Sequence, residues 1–257
     1  MNILVCIKQV PDMETKFKIN SAGDWIDEAD TAFRMNEYDE FAVEEAVALK
    51  EKLGAGASLT VLSIGPERVK EAIKKALAMG ADKGAHIQDD ECFRKDTAQV
   101  ASMIADYAKD KGFELIFTGL QSQDRGSAQV GPILAVKLGF NLVTTVVGFQ
   151  YDAGAITARR ELEGGLRAIV KTAAPAVITC QLGLNKPRYP TLPNIMKAKK
   201  KELAVIPAAQ VAAGAAMVNT ARAFHPERKG AGEMLQGDIA QVADRFVKII
   251  REKTGLI

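Results

Sequence analysis

Short apolar runs alternate with amphipathic stretches along the first 147 residues of the chain. Short, largely apolar runs predict strands at residues 3–7, 58–64, 85–87, 115–118 and 142–147. Apolar residues at helical spacing predict helices at residues 37–53, 67–79, 97–111 and 129–138. Gly54, Gly80 and Gly139 follow three of these helices, as is typical of helix ends. This alternation predicts an α/β fold with a mostly parallel, doubly wound sheet.

The pattern changes in the second half of the chain. Strand-like runs at residues 146–151, 155–163 and 166–171 are separated by Asp152-Ala153-Gly154 and Gly164-Gly165. These turn residues predict an added antiparallel section joined by hairpins, and residues 176–181 predict one more buried strand. Residues 206–228 are rich in Ala, Gly and Pro, which favours an extended arm, whereas residues 238–253 recover helical spacing.

Composition excludes several classes of function. A net charge of +2 over 257 residues gives no general nucleic-acid or membrane footprint. No apolar run approaches the roughly 20 residues that span a bilayer, and the first residues do not resemble a signal peptide. Three scattered cysteines and two histidines argue against a metal site or a histidine-based catalytic triad. We therefore predict a cytoplasmic protein without membrane insertion, nucleic-acid partner, metal or catalytic group.

Residues 119–131 form the richest candidate for ligand binding. They lie between a predicted strand and a predicted helix, at the edge of a parallel sheet where ligands bind. Gly126 and Gly131 permit close backbone approach, Ser127 is placed to cap the helix, and free N–H groups at the helix start suit a phosphate. The segment is neither a GxGxxG motif nor a P-loop, so a plain connecting loop remains the alternative.

A proline-rich segment, residues 185–201, is the most distinctive part of the chain. Three prolines within residues 187–193 exclude a helix or central strand through that stretch. Tyr189, Leu192, Ile195 and Met196 place apolar side chains on it, and a lysine-rich run follows. One interpretation is an apolar anchor and a steering charge for a transient protein partner. The other is a connection whose Leu192 packs against its own domain.

These residues resemble the β subunit of electron transfer flavoprotein over essentially the whole chain. The matching pieces are residues 5–12 (VCIKQVPD), 35–36, 42–46, 76–82 (ALAMGAD), 119–131, 160–161, 164–165 and 185–201. The resemblance implies a fold similar to adenine-nucleotide α-hydrolases, with a nucleotide-binding domain at residues 1–203 that contains a recognition loop at 184–201. It implies a C-terminal arm and helix at residues 204–257 that wrap the partner subunit.

The resemblance also implies a function without catalysis. The chain would be an electron carrier subunit that pairs with an α subunit bearing FAD and holds a structural AMP itself. It would accept electrons from flavin dehydrogenases of the acyl-CoA dehydrogenase type, as in fatty acid β-oxidation. The implied partner contacts are Glu161 toward the mobile flavin domain, Leu192 as the anchor with Tyr189, Ile195 and Met196 beside it, and Lys197 and Lys200, which match lysines methylated in some relatives.

The AMP contacts implied by the resemblance fall on four segments. They are Cys6; Asn36, Glu37, Tyr38 and Asp39; Ile64; and Gln121, Ser122, Gln123, Asp124, Arg125, Gly126, Ser127, Ala128, Gln129, Val130, Gly131 and Pro132.

The sequence departs from the family pattern at the same loop. Residues 128–132 look more like the electron-bifurcating branch, in which a second FAD replaces AMP and reacts with NADH. That branch usually shows Gly-Asp-Thr where this chain has Arg125-Gly126-Ser127, and Asn36-Glu37 replaces the common Asn-Pro. AMP is the first expectation and FAD the alternative. A stand-alone adenine-nucleotide-binding module is a further alternative, although such a module has no use for a presented leucine.

Overall fold

The computed structural model describes residues 1–227, 230 and 232–255. The chain divides into two compact units, Met1–Ala223 and Phe224–Ile257. The predicted arm and C-terminal segment also include residues 228, 229, 231, 256 and 257, which lie outside the described residues.

The predicted strands and helices occur in the predicted order, together with short elements at residues 9–11, 33–35, 192–198 and 203–207 that were not predicted. The strands are β1 Asn2–Cys6, β2 Gln9–Pro11, β3 Phe33–Met35, β4 Ser58–Gly65, β5 Lys83–Gln88, β6 Phe113–Gly119, β7 Asn141–Asp152, β8 Ala155–Glu161, β9 Arg167–Ala173, β10 Ala176–Cys180 and β11 Leu203–Pro207. The α-helices are α1 Glu37–Leu53, α2 Lys70–Met79, α3 Thr97–Ala108, α4 Val130–Leu138, α5 Leu192–Ala198 and α6 Ile239–Thr254.

One large sheet organises the first unit. Over the residues that the structure describes, its strand order is β11-β5-β4-β1-β6-β10-β7-β8-β9. The pairs from β11 to β7 are parallel, and β7-β8-β9 are antiparallel. The predicted α/β fold with a mostly parallel sheet and an antiparallel section is therefore confirmed.

The sheet has an apolar core on each face. Ile3, Val5 and Phe117 pack with residues of α1 and α2 on one face. Leu4 and Ile116 pack with residues of α3 and α4 on the other. Alternate residues of β1 and β6 thus point to opposite layers, as strand geometry requires, and both layers are apolar because helices cover both faces.

β7 joins the parallel and antiparallel parts of the sheet. Its first half pairs with β10 in parallel and its second half pairs with β8 in antiparallel. The sequence pattern suggested two strands that overlap near residue 146, whereas the structure has one long strand with register shifts at that point. Thr145 there has φ of 54°, which is unusual for a β-branched residue and marks the irregularity.

The C-terminal part of the first unit differs from the expected arm. β11 pairs with β5, from Leu203↔Gly84 to Pro207↔Gln88, so the predicted boundary after residue 203 falls inside a strand. Beyond it, Ala212 N donates to Asp106 Oδ2 at 3.0 Å and Val218 N donates to Asp96 Oδ2 at 2.9 Å, which holds this stretch along α3. The apolar run of β11 is only five residues long and ends in a proline, so it was not recognised as a strand.

Two helix limits also differ from the prediction. α3 ends at Ala108 rather than at residue 111, because Asp110 and Gly112 adopt positive φ angles of 60° and 65°. In the proline-rich segment, α5 begins at Leu192 with Pro193 in its first turn, where a missing N–H has no cost. The exclusion of a helix therefore holds only up to Thr191, whose side chain caps α5.

The second unit contains α6. Asp238 caps this helix and Gln241 completes a capping box, with Gln241 N donating to Asp238 Oδ1 at 2.9 Å. Within the described part of this unit, Ile239 and Phe246 expose apolar side chains. The predicted C-terminal helix is thus present at nearly the expected limits.

Candidate functional site

An open cleft lies where β1, β4 and β6 end. Its volume is about 1240 Å³, including solvent at its mouth. The wall residues include Lys8, Pro66 and Gln121, which follow those strands, together with residues from the segments 25–36 and 92–104. The carboxyl ends of neighbouring parallel strands are the usual ligand position in this kind of sheet.

Asp39 fixes the floor of the cleft. Its Oδ2 accepts the backbone N–H of Lys8 at 2.6 Å, and its Oδ1 accepts the backbone N–H of Gly119 at 3.1 Å. The first turn of α1 thereby ties together the ends of β1 and β6. Burial raises the pKa of the Asp39 carboxyl to about 7, although the two N–H groups oppose this shift.

Asn36 holds the loop that follows β6. Its Nδ2 donates to the carbonyl of Gln121 at 2.9 Å, and its Oδ1 accepts the N–H of Gln123 at 3.0 Å. Asn36 is buried, and its side-chain amide both donates to and accepts from backbone groups of this loop. The loop conformation therefore depends on the residue just before α1.

Lys8 and Asp124 form the main ion pair at the cleft. Lys8 Nζ lies 2.6 Å from Asp124 Oδ2, and the Asp124 side chain is only 7% exposed. Lys8 Nζ also donates to Ser122 Oγ at 3.4 Å. Asp124 is thus already paired within the chain, and Lys8 is a cation that the prediction of binding residues missed.

The start of α4 provides backbone donors. Among the described residues, no side chain caps this helix: Ser127, expected to do so, does not, and Gln129 occupies the cap position. Gln129 Oε1 instead accepts a bond from Thr97 Oγ1 at 2.7 Å. The first N–H groups of α4, on Val130 and Gly131, can therefore donate to an anion.

The two glycines near the start of α4 have different local environments, and that of Gly126 fits the tight turn that is one of its expected roles. A Cβ on Gly131 would lie 2.5 Å from Thr179 Cγ2 and 3.1 Å from Thr118 Oγ1, so this glycine allows α4 to pack on the sheet. Gly126 has φ of 59° and open space around it, which fits a tight turn. Close approach to a ligand is therefore not what requires Gly131.

An aromatic cluster lies at the cleft that the sequence pattern did not reveal. Trp25 stacks on Phe93 with ring centroids 5.7 Å apart, and the Arg125 guanidinium lies 4.9 Å from the Trp25 ring centroid. Arg68, over the Phe33 ring at 3.7 Å, adds a second cation. All five residues line the cleft. Stacking between residues so distant in sequence leaves no local signal.

The cleft brings most of the predicted AMP contacts together. Those that line it are Cys6, Asn36, Asp39, Ile64, Gln121, Ser122, Asp124, Arg125, Ser127, Ala128, Gln129, Val130 and Gly131. Glu37, Tyr38, Gln123, Gly126 and Pro132 do not. Of these, Tyr38 Oη accepts a bond from Gln121 Nε2 at 3.3 Å and Glu37 accepts one from Gln123 Nε2 at 2.9 Å, so they support the loop. Burial raises the pKa of the Cys6 thiol, which keeps it neutral.

The proline-rich segment presents apolar side chains outward. Tyr189 is 91% exposed and Leu192 is 74% exposed, with Ile195 and Met196 also exposed. The interpretation in which Leu192 packs against its own domain is therefore wrong. Lys197 and Lys200 are exposed as well. Lys201 is half-buried, and its Nζ donates to the carbonyls of Leu77 and Ala81 at 2.9 and 2.6 Å. Burial lowers the pKa of Lys201.

Glu161 lies at the end of β8. Its Oε2 accepts a bond from Gln181 Nε2 at 3.2 Å, and its carbonyl accepts one from Thr145 Oγ1 at 2.9 Å. These bonds orient a half-buried carboxylate at the edge of the sheet. It is not among the residues that line the cleft.

The described residues contain no group of His, Cys, Asp and Glu side chains that could hold a metal ion. No described helix is both long and apolar enough to cross a bilayer. The fold and cleft define a Rossmann-type α/β protein of the class in which ligands bind at the carboxyl ends of parallel strands.

Comparison with known proteins gives the family. Residues 24–211 match the electron transfer flavoprotein domain. The chain is 36% identical to the electron transfer flavoprotein subunit beta of Methylophilus methylotrophus, over 99% of this chain and 100% of that protein. It is 36% identical to the subunit beta of Bacillus subtilis (strain 168), over the full length of both. The chain belongs to the electron transfer flavoprotein β-subunit family.

Proposed function

We propose that this chain is the β subunit of a heterodimeric electron transfer flavoprotein in the bacterial cytoplasm. It would accept electrons from flavin dehydrogenases of the acyl-CoA dehydrogenase type, such as those of fatty acid β-oxidation, through the FAD of the α subunit. The observation that carries the docking part is the outward display of Leu192 on a segment fixed at both ends. An apolar side chain this exposed is removed from water only when a partner covers it, and that burial is favourable.

The cleft is the proposed site of an adenine nucleotide, with AMP as the first choice. The uncapped start of α4 supplies backbone N–H donors for a phosphate, and Arg125 adds positive charge nearby. The charge of Asp124 is neutralised by Lys8, and both carboxyl oxygens of Asp39 accept backbone N–H groups. Of the other two carboxylates that line the cleft, Glu28 pairs with Arg68, and Asp96 accepts backbone N–H groups of Gln99 and Val218. The donor set therefore suits an anion.

One observation favours FAD as the alternative ligand. Trp25 and Phe93 provide aromatic surface at the cleft next to Arg125, which would suit a longer ligand with a second ring. In that case the chain would belong to the electron-bifurcating branch and its flavin would react with NADH. This alternative changes the ligand and leaves the proposed heterodimer unchanged.

The proposed role of this chain in electron transfer is to position the cofactors and partners. A bound flavin in the α subunit would supply the redox chemistry. This chain would hold the nucleotide, present Leu192 to the dehydrogenase and offer Glu161 to the mobile flavin domain. Lys197 and Lys200, beside the anchor, are the proposed modification positions. A modest, polar interface suits a carrier that must release its partner after each transfer.

The test is the cofactor content of the purified αβ complex. The complex is denatured, and released FAD and AMP are quantified by chromatography. One FAD and one AMP per heterodimer supports the proposal. Two FAD and no AMP overturns the choice of AMP and supports the bifurcating alternative. A chain that purifies alone, without a flavin-bearing partner, overturns the proposed function.

A further inference from the structure

Arg188 joins the proline-rich segment to α1. Glu44 accepts bonds from the backbone N–H, Nε and Nη2 of Arg188 at 3.1, 2.9 and 2.9 Å. Glu51, two turns further along α1, accepts from Nη1 and Nη2 at 2.6 and 3.0 Å. One planar guanidinium thus engages two carboxylates on the same helix face, which fixes both its position and its orientation.

Burial distinguishes these contacts from ordinary surface ion pairs. The Glu44 side chain is 11% exposed and that of Arg188 is 33% exposed. A buried carboxylate that loses its cation is left without compensation, whereas an exposed pair is lost at little cost. The hydrogen bonds to Glu51 and Glu44 raise the pKa of Arg188, and the bond from Arg188 lowers the pKa of Glu51. Arg188 and Glu51 therefore stay charged over the physiological pH range.

The segment has further attachments on either side of its exposed part. Asn185 Nδ2 donates to the carbonyl of Phe41 at 3.0 Å and to Glu45 Oε2 at 2.9 Å. At the other end, Lys201 binds two carbonyls near the end of α2. Tyr189 and Leu192, between these attachments, direct their side chains into solvent.

We propose that Arg188 is a positioning residue that holds the proline-rich segment in the geometry needed for docking, without touching the dehydrogenase itself. This inference rests on the proposed docking function. A loop that is already ordered loses little conformational entropy when a partner binds, so its affinity is higher than that of a mobile loop with the same side chains. Release of Arg188 from α1 therefore weakens docking while the flavin and nucleotide sites stay intact.

The experiment compares variants of the intact αβ complex. A purified acyl-CoA dehydrogenase, reduced anaerobically by its acyl-CoA substrate, serves as electron donor, and flavin absorbance follows transfer. For Arg188→Ala we expect about a tenfold rise in the KM for the complex with little change in kcat, because a pre-organised charged contact is lost. Arg188→Lys keeps the charge but not the two-carboxylate geometry, and an intermediate rise is expected.

Hydrogen exchange provides a readout at the segment itself. Backbone amides of residues 192–198 should exchange faster in Arg188→Ala and Arg188→Lys than in the unchanged complex, while those of α4 should not change. Glu51→Gln removes one carboxylate from the exposed side of the cluster and should give a small effect in the same direction. This variant and Arg188→Lys keep the test informative if Arg188→Ala folds poorly.

Glu44→Gln separates positioning from direct contact. If Arg188 acts through α1, Glu44→Gln raises KM as well, and the double variant with Arg188→Ala is no worse than the stronger single variant. Additive effects, or a normal KM in Glu44→Gln, would assign Arg188 to direct contact with the dehydrogenase. A lower melting temperature with an unchanged KM would show that the cluster only stabilises the fold, and the positioning role would be wrong.

Leu192→Ala distinguishes failure of this inference from failure of the docking proposal. If Leu192→Ala raises KM but Arg188→Ala does not, docking stands and the positioning role is wrong. If neither variant changes KM, the proline-rich segment is not the docking site.

Discussion

The Asp39 carboxylate occupies the space that a side chain on Gly119 would fill. Asp39 Oδ1 accepts the Gly119 N–H at 3.1 Å, and a Cβ on Gly119 would lie only 2.2 Å from that oxygen. The same Cβ would lie 2.7 Å from Tyr38 Cβ. The glycine at the end of β6 is therefore required for the first turn of α1 to close over the sheet.

Gly119→Ala should destabilise the complex and reduce its nucleotide content. Either Asp39 or the backbone must move, and overpacking of this kind typically costs about 1–3 kcal/mol. Thermal unfolding and nucleotide quantification measure the two effects. Gly56→Ala is the matched control, since a Cβ there meets nothing within 4 Å. Equal behaviour of the two variants would show that Asp39 is not held as described.

The ionisation of Asp39 should make stability fall as pH rises. Burial raises the pKa of Asp39 from 3.8 to about 7 in the folded chain. Between these values the folded state keeps a proton that the unfolded state has lost, so folding stability from this group decreases with pH across that window. Asp39→Asn removes the titration. The melting temperature of the unchanged complex, relative to that of the Asp39→Asn complex, should therefore fall from about pH 4 to about pH 7. A difference that stays constant with pH would contradict the raised pKa.

Gly131→Ala should destabilise the packing of α4, and Thr179→Ser should rescue it. The added Cβ would lie 2.5 Å from Thr179 Cγ2, which serine lacks. Serine keeps the hydroxyl that accepts the Thr145 N–H at 3.2 Å. We expect a loss of about 1–3 kcal/mol in the single variant and partial recovery in the double variant, measured by denaturant unfolding. Absence of rescue would place the strain elsewhere, for example at Thr118.

Local patterns predicted the elements of this fold well but not the contacts between them. Apolar runs and glycine stops placed the strands of the main sheet and the helices in the first 147 residues, because both signals act over a few positions, but they did not reveal β2 and β3. The Arg188–Glu44 contact joins residues 144 positions apart, and no spacing rule indicates it. β11 was missed although its five residues, LAVIP, are all apolar, because the run is short and its sequence passes directly into an Ala-rich stretch.

The candidate site divides in the same way. The strand-end rule located the cleft and the loop after β6, and the family resemblance supplied individual residues. The geometry reassigned several of them: Ser127 does not cap α4, and Gly131 serves helix packing. Lys8, Trp25 and Phe93 became visible only when the loops were folded over the strand ends.

Leu192→Ala should slow electron transfer from the dehydrogenase while heterodimer and nucleotide content stay normal. An apolar anchor is worth on the order of 2 kcal/mol or more, which is roughly 30-fold in affinity. Stopped-flow reduction of the flavin at low complex concentration measures the effect. Val136→Ala, at an equally exposed apolar residue on α4, is the control. Normal transfer by Leu192→Ala would show that this leucine is not the anchor.

Two truncations should separate the role of the second unit from that of β11. A chain that ends after Ala223 keeps β11 and the stretch bound along α3, so we expect a folded first unit. If the second unit wraps the α subunit as proposed, this chain should fail to hold its partner in size-exclusion chromatography. A chain that ends after Lys201 also loses β11, which exposes the edge of β5 and should cause aggregation. A normal heterodimer from the chain that ends after Ala223 would remove the second unit from the proposed subunit contact, whatever the shorter chain does.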